Sequence, residues 1–136
     1  MMAFQLSVDA RNATLAAIET EIGINPVITI STGTVPAGTG TANTGVVVAT
    51  MVLPSDWLAS PVGGSIALSG TWQDLSADAS GTAGYFRLHN GAGTVCHMQG
   101  TVSATGGGGD MQLDNTNIAT GQQINITTFT ITAGGA

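Results

Sequence analysis

The chain has 136 residues, 43% of them hydrophobic, with eight acidic and two basic side chains and a formal charge of −6. That length suits one domain with one core. The charge balance argues against nucleic acid, whose phosphates need clustered Lys and Arg, and removes the polybasic element of membrane-surface binding.

Charged residues make up 7% of the chain, against roughly a quarter in an ordinary globular domain. Lysine is absent, and Arg11 and Arg87 are the only fixed cations. A free monomer usually stays soluble through many mixed charges, whereas interface cores are depleted of them because desolvating an ion is costly. A surface rich in Gly, Ala and Thr therefore fits a protein packed against copies of itself or a partner. A secreted β domain or a Thr-rich, ice-like surface is the alternative. No apolar run reaches the ~18 residues of a spanning helix. The opening MMAFQLSVDARNAT has neither a basic n-region nor a continuous apolar h-region, so it does not read as a signal peptide. A single cysteine, Cys96, excludes an intrachain disulfide framework and fits synthesis in a reducing cytosol.

In chain order, the first element predicted is a helix. Ser7 is the N-cap before VDARNATLAAIETEI, and Gly23 follows the last turn. Val8, Leu15, Ile18 and Ile22 form one apolar stripe at helical spacing, and Asp9 sits where the helix dipole favours a negative charge. From residue 24 the pattern becomes β. Predicted strands are Val27–Thr32, Val46–Leu53, Ser65–Trp72, Gly84–His89, Thr94–Val102, Asp110–Leu113 and Gln122–Thr132, separated by segments rich in Gly, Pro, Ser, Thr, Asn and Asp. The fold class that follows is mainly β: an antiparallel sandwich or jelly-roll-like domain with one short N-terminal helix. Residues 1–23 form an N-terminal arm and helix, and 24–136 the sandwich.

Two local readings refine this. YFRLHNGAGTVCHM predicts a hairpin in which Phe86 faces His97, Arg87 faces Cys96 and Leu88 faces Val95. Phe86, Leu88, Val95 and His97 then share the core side. Tyr85, Arg87, His89, Cys96 and Met98 share the other. In QINITTFTIT, Ile124 and Ile126 are out of phase with Phe129 and Ile131, which predicts a β-bulge near Thr127–Thr128.

Chemistry is sparse. Cys96 and His97 are strand neighbours pointing to opposite faces, so they do not pair as nucleophile and base. His89, His97 and Cys96 do not converge as a zinc triad. Asp74 with Asp78, and Asp110 with Asp114, are oxygen-rich enough to consider calcium, but Asx turns account for them and no EF-hand spacing is present. The Gly-rich stretches lack the Lys of a phosphate loop. No catalytic residue, metal or cofactor is therefore expected. Trp72 alternates with Ile66 and Leu68 and faces inward, while Trp57, in PSDWLASP, covers the core or enters an interface. Exposure of both Trp57 and Tyr85 would favour a carbohydrate-binding or adhesin module.

The succession LSVDARNATLAAI, STGTVPAGTGTANTGVVVATMVLP, GTAGYFRLHNGAGTVCHMQGTV and DMQLDNTNIATGQQINITTFTITAG resembles small virion-associated structural proteins of tailed bacteriophages. The likeness covers nearly the whole chain, and its motifs are structural. It implies a capsid decoration (cement) role on the head exterior, or a neck, tail or fibre role. The partners implied are the major capsid protein and copies of the chain itself, as trimer or dimer, with no nucleic acid and no membrane, in a virion made in the host cytoplasm. The expected contact residues are Phe4, Leu6, Val8, Leu15, Ile18, Ile22 and Trp57; a helix that only caps its own sandwich is the alternative. The absence of Lys and the Cys96-His97 pair depart from the relatives' pattern.

Overall fold

The computed structural model describes residues 4–136. Helix α1 (Val8–Ile22) begins where expected: Ser7 Oγ accepts from the Ala10 N–H at 3.1 Å, satisfying a donor the first turn cannot pair internally. It ends at Gly23, whose φ of +88° needs no Cβ and whose N–H closes on Glu19 O at 2.9 Å.

Nine strands follow: β1 (Val27–Thr32), β2 (Val47–Val52), β3 (Ser65–Ala67), β4 (Gln73–Asp74), β5 (Gly81–His89), β6 (Cys96–Ala104), β7 (Met111–Leu113), β8 (Asn117–Ile118) and β9 (Ile124–Thr132). They form one curled, sandwich-like sheet in the order β2-β1-β5-β6-β7-β9-β3, with β4 also on β9 and β8 on the start of β5. Every pairing is antiparallel except β6 with β7. The fold is mainly β with a single short N-terminal helix.

The concave face carries the core. Ile28 opposes Leu88 and Ile30 opposes Phe86 across β1 and β5, and all four are buried. Tilted aromatic contacts run Trp57–Trp72 (6.0 Å), Trp72–Phe129 (5.5 Å) and Phe129–Phe86 (5.5 Å, edge-on). Aromatic pairs in such offset geometries add to the energy of area burial. Leu15 and Ile22 of α1 join this core, and Trp57 Nε1 donates to Gly23 O at 3.0 Å, tying the helix end to the sheet. Gly100 is required where Phe86 crosses β6, since a Cβ there would meet Phe86 Cε1 at 2.7 Å.

The convex face of β1, β5 and β6 is covered too. Residues 33–46, a long loop, fold across it and are pinned by side chains pointing away from the core. Tyr85 Oη donates to Asn43 Oδ1 (2.6 Å) and accepts from the N–H groups of Thr44 (3.1 Å) and Gly45 (3.3 Å). Burial alone would raise the pKa of this hydroxyl, but the bonds from Thr44, Gly45 and Ser31 outweigh it and hold it below its ordinary value. Arg87 donates to Thr39 O (2.7 Å) and Gly38 O (3.4 Å), and Gln99 Nε2 to Pro36 O (2.8 Å). A Cβ on Gly84 would lie 2.0 Å from Gly33 O, so only glycine lets the loop approach there.

Three expectations are revised by this arrangement. The β5–β6 register is Arg87 to Gln99, Leu88 to Met98 and His89 to Cys96, with a bulge beside His89. The cause is Asn90, whose Oδ1 accepts from both Thr94 N (2.8 Å) and Val95 N (3.2 Å), holding a wider turn than the sequence spacing suggested. Val95 is consequently 48% exposed, and Met98 takes a core-side position against Leu88. Second, Ser65–Trp72 is not one strand: β3 stops at Ala67 and the chain turns at Gly70, φ +76°. Third, Tyr85 and Arg87, placed on the side away from the core, are buried all the same, beneath the loop. The final strand follows its prediction: Gln112 pairs with Thr128 and Leu113 with Ile126, leaving Thr127 as the extra residue. The bulge returns Phe129 to the buried face already occupied by Ile124 and Ile126.

Candidate interaction surface

The sequence-predicted contact residues divide into two groups. Leu15, Ile22 and Trp57 are buried in the chain's own core, where no partner reaches them. The helix thus spends part of its apolar stripe on capping its own sheet. Phe4 is 67% exposed and Val8 is 45% exposed, while Leu6 and Ile18 are half-buried. Leu6 is held by its N–H to Gly135 O at 2.7 Å.

Further apolar residues are exposed outside the helix. Val62, in SPVGG, sits beside Gly64, whose N–H donates to Asn12 Oδ1 on α1 at 2.9 Å. That bond sets the turn carrying Val62 against α1. Ile24, Val52 and Val95 gather at the other end of the helix. Asn25 Nδ2 donates to Leu53 O (3.0 Å) there, Val27 pairs with both Val52 and His89, and the turn at Gly91 approaches Ile24 O. With a rise of 1.5 Å per residue, the exposed apolar residues at the two ends of α1 are separated by a 15-residue helix of about 22 Å. Of these, only Val62 lies in a segment the sequence marks as a breaker; Val52 and Val95 lie in predicted strands, so alternation gave no sign of their exposure.

The polar candidates are engaged structurally. Asp74 accepts from Thr50 N (3.0 Å) and Ser76 N (3.0 Å), and Asp78 from Thr50 Oγ1 (2.7 Å). With Asp78 N donating to Val48 O at 2.8 Å, the 74–78 segment lies along the outer edge of β2 and screens it. Asp114 accepts from Asn125 N and Nδ2, at 3.2 and 3.0 Å. Among the described residues no three His, Cys, Asp or Glu side chains gather as a metal cluster. Trp57 and Tyr85 are both fully buried, so neither offers a ring face to a sugar. Among the described residues no helix is long and apolar enough to cross a membrane.

His89, Cys96, Gly93, Thr94 and Val95 line a polar recess against Thr39 and Gly40. His97 faces the opposite side, toward Ile18 and Ile22. Burial lowers the His89 pKa, Arg87 and His97 lower it further, and a hydrogen bond with the Val27 backbone partly opposes them. The unfolded chain, with histidine near its ordinary value of about 6.5, takes up this proton before the folded one does. Stability associated with His89 is therefore complete above that pH and is lost as pH falls toward the lower folded value. Denaturant midpoints measured from pH 7.5 down to about 5 should fall, and His89→Gln should flatten the decline; equal slopes in both proteins would refute this.

No family model, curated protein or solved structure matches the chain.

Proposed function

We propose that this chain is a structural protein of a tailed-phage virion, decorating the outside of the head and bridging neighbouring coat subunits. The observation that carries the reading is that exposed apolar side chains stand at both ends of α1, Phe4 and Val8 at its start and Ile24 just past its end, on a surface with very few ions. Water-exposed apolar groups set apart in this way suit a unit that touches two neighbours at once. The resemblance noted in the sequence adds the virion to that description. Each contact is modest, and lattice symmetry multiplies it.

A neck or tail component shares the same surface chemistry and differs in number. Quantitative mass spectrometry of purified virions whose genome encodes this chain separates the two. A copy number close to that of the major coat protein is the expected result. A handful of copies would move the chain to the neck or tail, and absence from the particle would overturn the virion reading.

A further inference from the structure

The curled sheet is incomplete along one line. β7 is three residues long and fills the space between β6 and β9 only from Met111 to Leu113, alongside Val102–Ala104 and Ile126–Phe129. Beyond it, toward the start of β6 and the end of β9, the two strands face one another across a groove of about 400 Å³. Phe86, Met98, Phe129, Ile131 and Ile18 line this groove, and it continues along α1 past Glu21.

Both walls present unused strand edges. Thr101 N points into the gap, because it donates to Asp110 Oδ2 at 2.9 Å rather than to β5. Antiparallel pairing alternates, so Gln99 turns its N–H and C=O the same way. On β9, Leu68 N donates to Phe129 O (3.1 Å) and Ala133 N to Gly64 O (2.9 Å), which directs the odd-numbered residues to β3. Thr130 and Thr132 therefore direct their backbone groups into the gap. Where β7 lies between them, β6 and β9 stand two strand spacings apart, about 9.6 Å. An α-helix of about 10 Å diameter would be too wide for that space and would leave these groups unpaired.

We propose that this slot accepts an extended segment of a partner protein as an added β-strand, apolar at alternate residues and basic at its ends. The apolar residues would pack on Phe86, Met98 and Phe129, and the backbone would pair with Gln99, Thr130 and Thr132. Asp110 stands at the inner end of the slot and Glu21 beside its continuation. Together with the net charge of −6, they select a cationic segment and oppose a second copy of this chain.

The test is selection of random displayed heptapeptides on the full chain, followed by amide hydrogen exchange with the best synthetic peptide. Enriched sequences should alternate apolar residues, carry Lys or Arg, and lack a central Pro. The peptide should protect the amides of Gln99, Thr130 and Thr132, and about 0.5 M salt should weaken it. A central Pro, which removes one ladder bond, should cost about tenfold in affinity. No enrichment, acidic winners, protection elsewhere, or an unaffected Pro peptide would overturn the proposal. The proposal is independent of the virion reading: high copy number on particles without peptide binding would leave that reading standing and remove this one.

Discussion

Replacing Trp57 by alanine should lower stability by about 3–5 kcal/mol, the usual cost of emptying a large aromatic site in a core. The side chain is fully buried, contacts Trp72 at 6.0 Å and donates to Gly23 O at 3.0 Å. The substitution therefore opens a cavity and also frees the carbonyl that ends α1. Measured against a total of about 5–15 kcal/mol for a typical domain, this is a large share. Thermal unfolding followed by circular dichroism should show a strongly lowered midpoint. Trp57→Phe, which keeps most of the volume but loses the N–H, should fall between the two. A midpoint for Trp57→Ala within a degree or two of the parent would mean that the loop carrying Trp57 is not part of the core.

Tyr85→Ala should have an effect of similar size, also about 3–5 kcal/mol, for a different reason. Tyr85 lies on the convex face, and its burial depends entirely on the 33–46 loop. Removing it uncovers Ser31 and leaves Asn43 Oδ1 and the N–H groups of Thr44 and Gly45 without their partner. Tyr85→Phe isolates the hydroxyl and should cost about 1–3 kcal/mol, the range for leaving buried polar groups unpaired. Digestion with a nonspecific protease is the direct measurement, because the loop contains neither Lys nor Arg. Cleavage within 33–46 should accelerate in Tyr85→Ala well before global unfolding. If cleavage rates match the parent, the loop is held by its other anchors, Arg87, Gln99, Ser31 and Thr32.

What could be read from the sequence was what local chemistry determines. Ser7 and Gly23 bound the helix because capping is settled within a turn of the chain. The Thr127 bulge was legible because a phase change in the apolar pattern has few other remedies. The β5–β6 register was not legible, since it rests on Asn90 holding two backbone donors in a turn that spacing alone allows to close earlier. Nor could periodicity anticipate that Tyr85 and Arg87 would be covered. Alternation distinguishes two faces of a strand but does not say that a remote loop will seal the second. The surface suffered the same blindness in reverse. Val62 lies in a segment that composition marks as a turn and Ile24 just past the helix end, and their exposure follows from how the chain is arranged around α1.

β9 pairs with β3, β4 and β7, and it follows all of them in the chain. On a ribosome, every one of those partners leaves the exit tunnel before the strand that joins them. Until β9 arrives, β3 and β4 have no strand neighbour of their own on the path, and Trp72 lacks Phe129. Closure is thus a late, long-range event in synthesis, of the kind that makes β topologies slow to fold. The nascent chain waits with its aromatic core half assembled, which makes the interval before Phe129 emerges the stage most exposed to misassociation between neighbouring nascent copies.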